Sequence, residues 1–521
     1  LYNEVVSIAN HLLHLGVKKG DKVAILSANM PNWGITQFAI ANIGAIAVPI
    51  LPGFCSTELQ NILEHAEVKV IFVSRLLAKC LEGVKTPFLE HKILINNFST
   101  IPEGCYQPEE LDKLVPDISL NNTTPLPEVS IEEEDIASII YTSGTTGFSK
   151  GVVLTHKNLV WDARQCHTIQ PVDETYRFLS ILPMAHTYEN TLGLLLPLMF
   201  GAQVYYLDRV PTPKLLVPAM QKIRPTVVLS VPLIIEKIYK SQVLPKFTSS
   251  KLMSKLYRFA PARKLFNRLA GKKLMETFGG ELKFFGIGGS KLDGTVEQFL
   301  REAKFPYAIG YGLTETAPMA AGSNPSQTFL QGVGPVMEGV QIKINDPDKS
   351  GQGEIWIKGP NVMKGYYKRP ELTAETFTED GWFKTGDLGS FDKKNRLAIR
   401  GRIKTMILGA SGENIYPEEI ESIINNFRFV NESLVVENSG KLVAMVHFNM
   451  EELEKQYQKL KDQAGNYKEK INDYIEEQKQ ELRDYVNARV NNFSKLQLVL
   501  VQHEPFEKTP THKIKRFLYC K

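Results

Sequence analysis

Cysteine is scarce in this chain: five in 521 residues, at Cys55, Cys80, Cys105, Cys166 and Cys520. The number is odd, the spacings are wide and no C-x-x-C pair occurs. Neither a disulfide framework nor a cysteine zinc site is indicated, and a reducing interior is the simplest setting. An excess of one charge is also missing. Lys and Arg number 61 against 57 Asp and Glu, a net charge of +4, which gives no case for a nucleic-acid partner. Uninterrupted apolar runs are absent too. The longest stretches, 38–54 and 191–207, are broken by Pro, Gly, Asn or Gln, so they read as helix-plus-strand pieces and not as membrane spans. No signal peptide is visible. The chain opens at Leu1 inside an amphipathic pattern, without an initiator Met, which leaves room for a preceding segment. Three motifs are missing as well. There is no G-x-S-x-G hydrolase elbow and no Walker A spacing. The dinucleotide fingerprint fails because GIGGSK (286–291) carries Lys291 at its third glycine position.

What is present is ordinary globular composition, 43% hydrophobic and 23% charged, at a length that predicts more than one domain. Up to about residue 340, buried-strand patterns (VAILSA 23–28, AIAVPI 45–50, KVIFVS 69–74, AQVYYL 202–207, TVVLSV 226–231, ELKFFGIGG 281–289) alternate with helical ones. That is the pattern of α/β sheets with helices on both faces. From 340 to 400, short strands separated by Gly, Asp and Asn predict an antiparallel or barrel-like piece. Beyond about 405 come the strands LVVEN (434–438) and KLVAMVHF (441–448), then a charged helical segment over 450–490. Its apolar positions Leu453, Tyr457, Leu460, Ala464, Tyr467 and Ile471 form a helix face expected to cover its own small domain, with a break possible at Gly465–Asn466. The change of style near GRIK (401–404) marks the domain boundary. The expected fold class is therefore α/β: a large domain of layered α/β sheets with a small barrel-like part, followed by a smaller α+β domain.

The stretch YTSGTTGFSKGVVLTH (141–156) lies between two apparent strands, IASIIY (136–141) and GVVLTH (151–156). Gly144 and Gly147 let the backbone turn N–H groups toward an anion. Thr142, Ser143, Thr145 and Thr146 add hydroxyls, and Lys150 adds charge. Such a loop can cradle phosphates, and taken alone it is also compatible with a solvated surface loop. Three further segments carry reactive side chains: YGLTET (311–316) in a tight turn, GWFKTGDLG (381–389) with Asp387 among glycines, and EKTPTHKIKR (507–516) with Lys513 beside a proline. From Lys251 to Met275 there are eight basic residues and no acidic one, interleaved with Leu252, Leu256, Phe259, Leu265, Phe266 and Leu269. This segment reads either as a solvated helix face or as a basic amphipathic element that can lie on an anionic surface.

The order of the motifs is more informative than any one of them. YTSGTTGFSKGV, PMAHTYE (183–189), YGLTET, TGD, GRIKTMILGASGENIYPEEIE (401–421) and the terminal lysine segment follow one another along nearly the whole chain. In this the chain resembles the AMP-forming acyl-CoA synthetase, or adenylate-forming, superfamily. SANMPNW (27–33), VPLIIEKIY (231–239), FGGELKFFGIGG (278–289) and TPTHKIKR (509–516) are most similar to the long-chain fatty acid:CoA ligases. The resemblance implies a ligase that uses ATP and Mg²⁺ to convert a fatty acid to acyl-AMP with release of pyrophosphate, then passes the acyl group to CoA. It implies domains at 1–401 and 405–521, the second mobile about a hinge at 402–404.

Position by position, the resemblance gives Thr142, Ser143, Gly144, Thr145, Thr146, Gly147 and Lys150 to the ATP phosphates. Gly288, Gly289 and Ser290 would line the base and acyl side, and Tyr311 with Gly312 the adenine. Thr314 would bond the α-phosphate, and Glu315 would be the Mg²⁺ ligand. Asp387 and Arg402 would serve the ribose, Lys404 the hinge, and Gly409, Ala410, Ser411 and Gly412 the pantetheine tunnel. Lys513 would bridge carboxylate and α-phosphate. His186 is assigned no catalytic role. Two departures stand out: His512 replaces a glycine common in relatives, as suits the long-chain subgroup, and Lys404 replaces a frequent hinge aspartate. Transfer to a carrier protein, release of the adenylate, and a non-catalytic nucleotide- or lipid-sensing role are the competing readings. The retention of Lys150, Glu315, Asp387 and Lys513 argues against the last. The partners expected are fatty acid, ATP and CoA. The expected setting is the cytoplasm, with peripheral contact at the inner face of a membrane.

Overall fold

The computed structural model describes all residues except 55, 121–123, 143–148, 208, 210, 249, 409–413, 439, 455–466, 510–512 and 521. The strands before residue 156 are β1 (Lys22–Leu26), β2 (Ile46–Ile50), β3 (Val68–Val73), β4 (His91–Leu94), β5 (Ser99–Thr100), β6 (Ile136–Thr142) and β7 (Lys150–Thr155). Next come β8 (Arg177–Ser180), β9 (Gln203–Tyr206), β10 (Val227–Ser230), β11 (Phe284–Ile287), β12 (Tyr307–Gly312) and β13 (Met319–Gly322). They are followed by β14 (Gln341–Asn345), β15 (Gly353–Lys358), β16 (Gly365–Tyr366), β17 (Phe383–Phe391) and β18 (Leu397–Arg402). The chain closes with β19 (Ile407–Leu408), β20 (Asn414–Ile415), β21 (Val430–Asn438), β22 (Lys441–Phe448) and β23 (Leu498–Val501).

The first sheet runs β16-β7-β6-β2-β1-β3-β4-β5 and the second β13-β12-β11-β10-β8-β9. Their centres are parallel: β1 pairs with β2 and β3, and β10 with β8 and β11, all in parallel register. Strands buried on both faces must be apolar throughout, and all five residues of β2 and all four of β10 are buried. Trp33, Ile25, Phe72 and Phe98 lie in the core of the first sheet. Antiparallel strands close the edges: β6 with β7, β7 with β16, and β12 with β13. The strands expected to be barrel-like form a four-stranded sheet, β14-β15-β17-β18, and no barrel closes among the described residues. Asp387, in the TGD segment, lies inside β17. Gly386, at φ +71, takes the left-handed backbone there that a side chain disfavours.

Two compact units result. One comprises Leu1–Lys343, Trp356–Lys384 and Phe391–Ala398; the other comprises Ile344–Ile355, Thr385–Ser390 and Ile399–Lys521. In the second, β21, β22 and β23 form a sheet. Its core holds Ile424, Val446, Phe448, Leu453, Leu482 and Val486. The charged helix, Tyr467–Asn487, contributes Leu482 and Val486 to this core, so it packs on its own small domain. Of the face named above, Leu453 is buried, while Tyr457, Leu460, Ala464 and the Gly465–Asn466 break lie outside the described residues. Among the described residues, no helix is long and apolar enough to cross a membrane.

Candidate active site

In parallel α/β sheets, ligands collect at the carboxyl ends of the strands, and that is where the first unit gathers its polar residues. The β6–β7 hairpin sets Thr142 opposite Lys150. Thr142 Oγ1 is buried and, among the described residues, has no hydrogen-bond partner. An orphaned buried hydroxyl costs about 1–3 kcal/mol, so an oxygen-rich ligand at the hairpin mouth suits it. Ser143, Gly144, Thr145, Thr146 and Gly147, the loop itself, lie outside the described residues.

Lys150 opens β7, and its Nζ lies 3.2 Å from Glu315 Oε1. The Tyr366 hydroxyl completes the cluster, accepting from Lys150 Nζ at 2.6 Å and donating to Glu315 Oε1 at 2.8 Å. Burial pushes the Glu315 carboxyl up, but the Lys150 charge and the Tyr366 hydroxyl outweigh it and hold the group below the usual carboxylate range. Glu315 is therefore a carboxylate at neutral pH in a buried position. Its backbone is fixed too: Met363 N donates to Glu315 O at 2.9 Å, and Asn361 Nδ2 to Thr316 O at 3.1 Å.

Tyr366 was not visible as a site residue in the sequence. It reaches the cluster through β16, where Gly365 at φ +146 precedes it; a Cβ on that glycine would sit 2.6 Å from Thr373 Cγ2. The G-Y-Y triplet carries no signal of this pairing, because its partner strand lies more than two hundred residues earlier.

Tyr311 and Gly312 end β12, and Thr314 and Glu315 form the short turn after it. Gly312 admits no side chain: a Cβ would lie 1.6 Å from Pro318 O. Gly288, Gly289 and Ser290 follow β11, with Gly288 N donating to Ser230 O at 3.1 Å and Gly289 at φ +85. His186 caps a short helix through Nδ1, which accepts from Tyr188 N at 3.2 Å, a structural duty that agrees with its lack of a catalytic assignment. Beside it, burial pushes the Glu189 carboxyl up to about 8, and its Oε2 has no partner among the described residues.

A cavity of about 50 Å³ lies in the same unit, lined by Phe178, Leu192, Val227, Ile287 and Met319 among others. Gly310 keeps it open, since a Cβ there would meet Met319 Cε at 2.8 Å. None of these wall residues was legible in the sequence, for they come from five separate segments.

In the second unit, buried Asp387 accepts from Arg402 Nε through Oδ1 at 2.9 Å. Lys404 is exposed on the short turn after β18. In the terminal segment, Thr509 N donates to Lys513 O at 2.7 Å, and Lys513 N to Thr509 Oγ1 at 3.2 Å. Lys513 is exposed. His512 and the tunnel residues Gly409, Ala410, Ser411 and Gly412 lie outside the described residues.

Among the described residues, no three His, Cys, Asp or Glu gather as a metal cage. A single ionised carboxylate nevertheless fits Mg²⁺, which typically takes one or two protein carboxylates and completes its shell with phosphate oxygens and water.

Comparison with known proteins places the chain among relatives by sequence and by fold. The family model described as "AMP-binding enzyme" matches residues 1–367. The chain is 30% identical to the long-chain-fatty-acid–CoA ligase FadD15 of Mycobacterium bovis, over 89% of this chain and 79% of that protein. It is 29% identical to the peroxisomal long chain acyl-CoA synthetase 6 of Arabidopsis thaliana, over 98% of this chain and 78% of the relative. In fold it matches the Bacillus subtilis o-succinylbenzoate coenzyme A synthetase solved with ATP and a magnesium ion, at TM-score 0.73 and 22% identity, over 99% of this chain and 92% of that one.

Proposed function

The chain belongs to the AMP-binding enzyme family, and we propose on that basis that it activates a long-chain fatty acid with ATP and transfers the acyl group to CoA. The observation that carries the reading is the Lys150–Glu315–Tyr366 cluster at the mouth of the hydroxyl-rich hairpin. Adenylation needs the fatty carboxylate to attack the α-phosphorus while pyrophosphate leaves. The catalytic requirement is to spread negative charge on the phosphates. Lys150 and the loop 142–147 supply positive charge and donors. Glu315 would hold Mg²⁺, which supplies further charge neutralisation. A polyphosphate bound with its cation would let the ion pair exchange partners without leaving a buried charge alone: Lys150 would face phosphate and Glu315 would hold the metal. The Tyr366 hydroxyl keeps both ends in place.

The remaining roles belong to the same proposal. Tyr311 stacks on adenine beside Gly312. Gly288, Gly289 and Ser290 let base and acyl group approach the backbone, and Thr314 bonds the α-phosphate. Asp387, with Arg402, receives the ribose hydroxyls. Lys513 steadies the carboxylate and α-phosphate during adenylation. In the second step the CoA thiol loses its proton, attacks the acyl carbon and expels AMP. Residues 405–521 turn about a hinge at 402–404, centred on Lys404, and the 409–412 segment serves pantetheine. Peripheral contact with a membrane, where such substrates reside, completes the reading.

The test is pyrophosphate release with fatty acids of graded length, with and without CoA. Pyrophosphate with acyl-CoA supports the proposal. Adenylate that CoA does not consume, but a carrier protein does, would move the acceptor to a protein-bound pantetheine. No pyrophosphate with any fatty acid would overturn the ligase reading.

A further inference from the structure

The basic segment noted in the sequence folds as two helices, Lys251–Arg258 and Ala260–Thr277. Ser250 Oγ caps the first by accepting from Met253 N at 3.2 Å, and Pro261 starts the second. The longer helix has a clearly defined inner face. Arg263 pairs with Glu302 at 2.8 Å, and buried Asn267 donates to Glu302 Oε2 at 2.8 Å. Gly271 lies so close to the next helix, Gly294–Glu302, that a Cβ would be 2.6 Å from Ala303 Cβ. Leu274 is buried on the same side.

At about 100° per residue, Leu265 and Leu269 fall roughly 160° from Asn267, at the opposite pole. They are 58% and 61% exposed. The shorter helix repeats the arrangement, with Leu252, Leu256 and Phe259 at 69%, 40% and 63%. Around these five stand Lys255, Arg258, Lys264, Arg268, Lys272 and Lys273, all exposed. Among the described residues, none of the six is in an ion pair; Arg263 is the basic residue committed inward.

Core packing does not account for large apolar side chains at the solvent pole of a helix that packs through glycine and asparagine. Nor does solubility, which is served by mixed charge. We propose that these two helices are the surface by which the protein lies on an anionic lipid bilayer. Leucine and phenylalanine enter the boundary between headgroups and acyl chains, while the lysine and arginine ends reach lipid phosphates. A nucleic acid would match the charge and leave the apolar side chains in water. A second copy would cover the apolar residues but bring two cationic faces together. The inference deepens the peripheral-contact reading and does not depend on adenylation, since it concerns binding and not turnover.

The experiment is flotation of the full chain with vesicles of phosphatidylcholine, alone or with added phosphatidylglycerol. Binding should require the anionic lipid and weaken with salt. A paired Lys264→Gln and Arg268→Gln change should weaken it by about 30-fold, near fivefold for each charge. Leu265→Gln with Leu269→Gln should weaken it at least tenfold, whereas Leu265→Phe with Leu269→Phe should retain it. Melting curves like the parent's would show that each variant folds, as the exposure of these side chains predicts. Equal partitioning to both vesicle types, no partitioning to either, or parent-like binding by folded variants would overturn the proposal. So would lipid-free dimerisation that Leu265→Gln with Leu269→Gln abolishes, which would assign the face to a second copy. Loss of the ligase activity alone would leave vesicle binding intact, so the two readings fail separately.

Discussion

Replacing Tyr366 by phenylalanine removes one oxygen and leaves the ring. That oxygen accepts from Lys150 at 2.6 Å and donates to Glu315 at 2.8 Å. Lys150 is 31% exposed, so water can replace its lost partner. Glu315 is buried and cannot be rehydrated so readily, which concentrates the loss on one charge-assisted hydrogen bond. Such a bond contributes about 1.5–3 kcal/mol. If the positioning is needed in the transition state, adenylation should fall by roughly 10- to 150-fold at limiting Mg²⁺. The variant also loses one of the influences that hold the Glu315 carboxyl low. Its pKa should therefore rise, and the acidic limb of the pH–rate profile should move to higher pH. The assay is initial pyrophosphate release against Mg²⁺ and pH, with thermal unfolding to show an intact fold. Rates, Mg²⁺ half-saturation and acidic limb all within about twofold of the parent would refute the positioning argument.

Glu315→Gln should lower adenylation more than tenfold and weaken its response to Mg²⁺. Because the parent carboxyl is depressed, its contribution to stability is present above the ordinary carboxylate range and lost as pH falls through the lowered value; the variant should lack that acid-dependent loss. Lys513→Ala should reduce acyl-AMP formation by about 10²-fold or more while supplied acyl-AMP and CoA still react at near-parent rates. Equal loss in both half-reactions would defeat the assignment. Glu189→Gln tests the buried carboxyl raised to about 8. The parent should lose stability relative to the variant as pH rises from about 4.5 to 8, by ~4 kcal/mol, and a pH-independent difference in denaturant unfolding would contradict it.

The parts of the fold written in local pattern were readable in the sequence. The buried strands declared themselves as apolar runs, and of the helical period read in the charged 450–490 segment Leu453 is in the core, joined there by Leu482 and Val486, which the period did not name. The chemistry-bearing motifs were readable for the same reason, since Thr142 and Lys150, or Thr314 and Glu315, are near neighbours in the chain. The strand around Asp387 was not legible because flanking glycines mask it. Tyr366 and the cavity wall were illegible because strand pairing and packing bring them in from distant segments. The outward leucines at 265 and 269 could be noticed as a pattern, but only the inward contacts of Gly271 and Asn267 reveal which side faces water.

The β16–β7 pairing also bears on how the protein is made. Lys150 and Tyr366 are separated by 216 residues, and the edge of the first sheet beside β7 is completed by the later of the two. At translation speeds of 5–20 residues per second, Lys150 leaves the ribosome's catalytic centre about 10 to 40 s before its hydroxyl partner is added. Through that interval the nascent chain holds Lys150 without the hydroxyl that pairs with it. The Lys150–Glu315–Tyr366 cluster is therefore complete only late in synthesis, when residues 365 and 366 take their place on the edge.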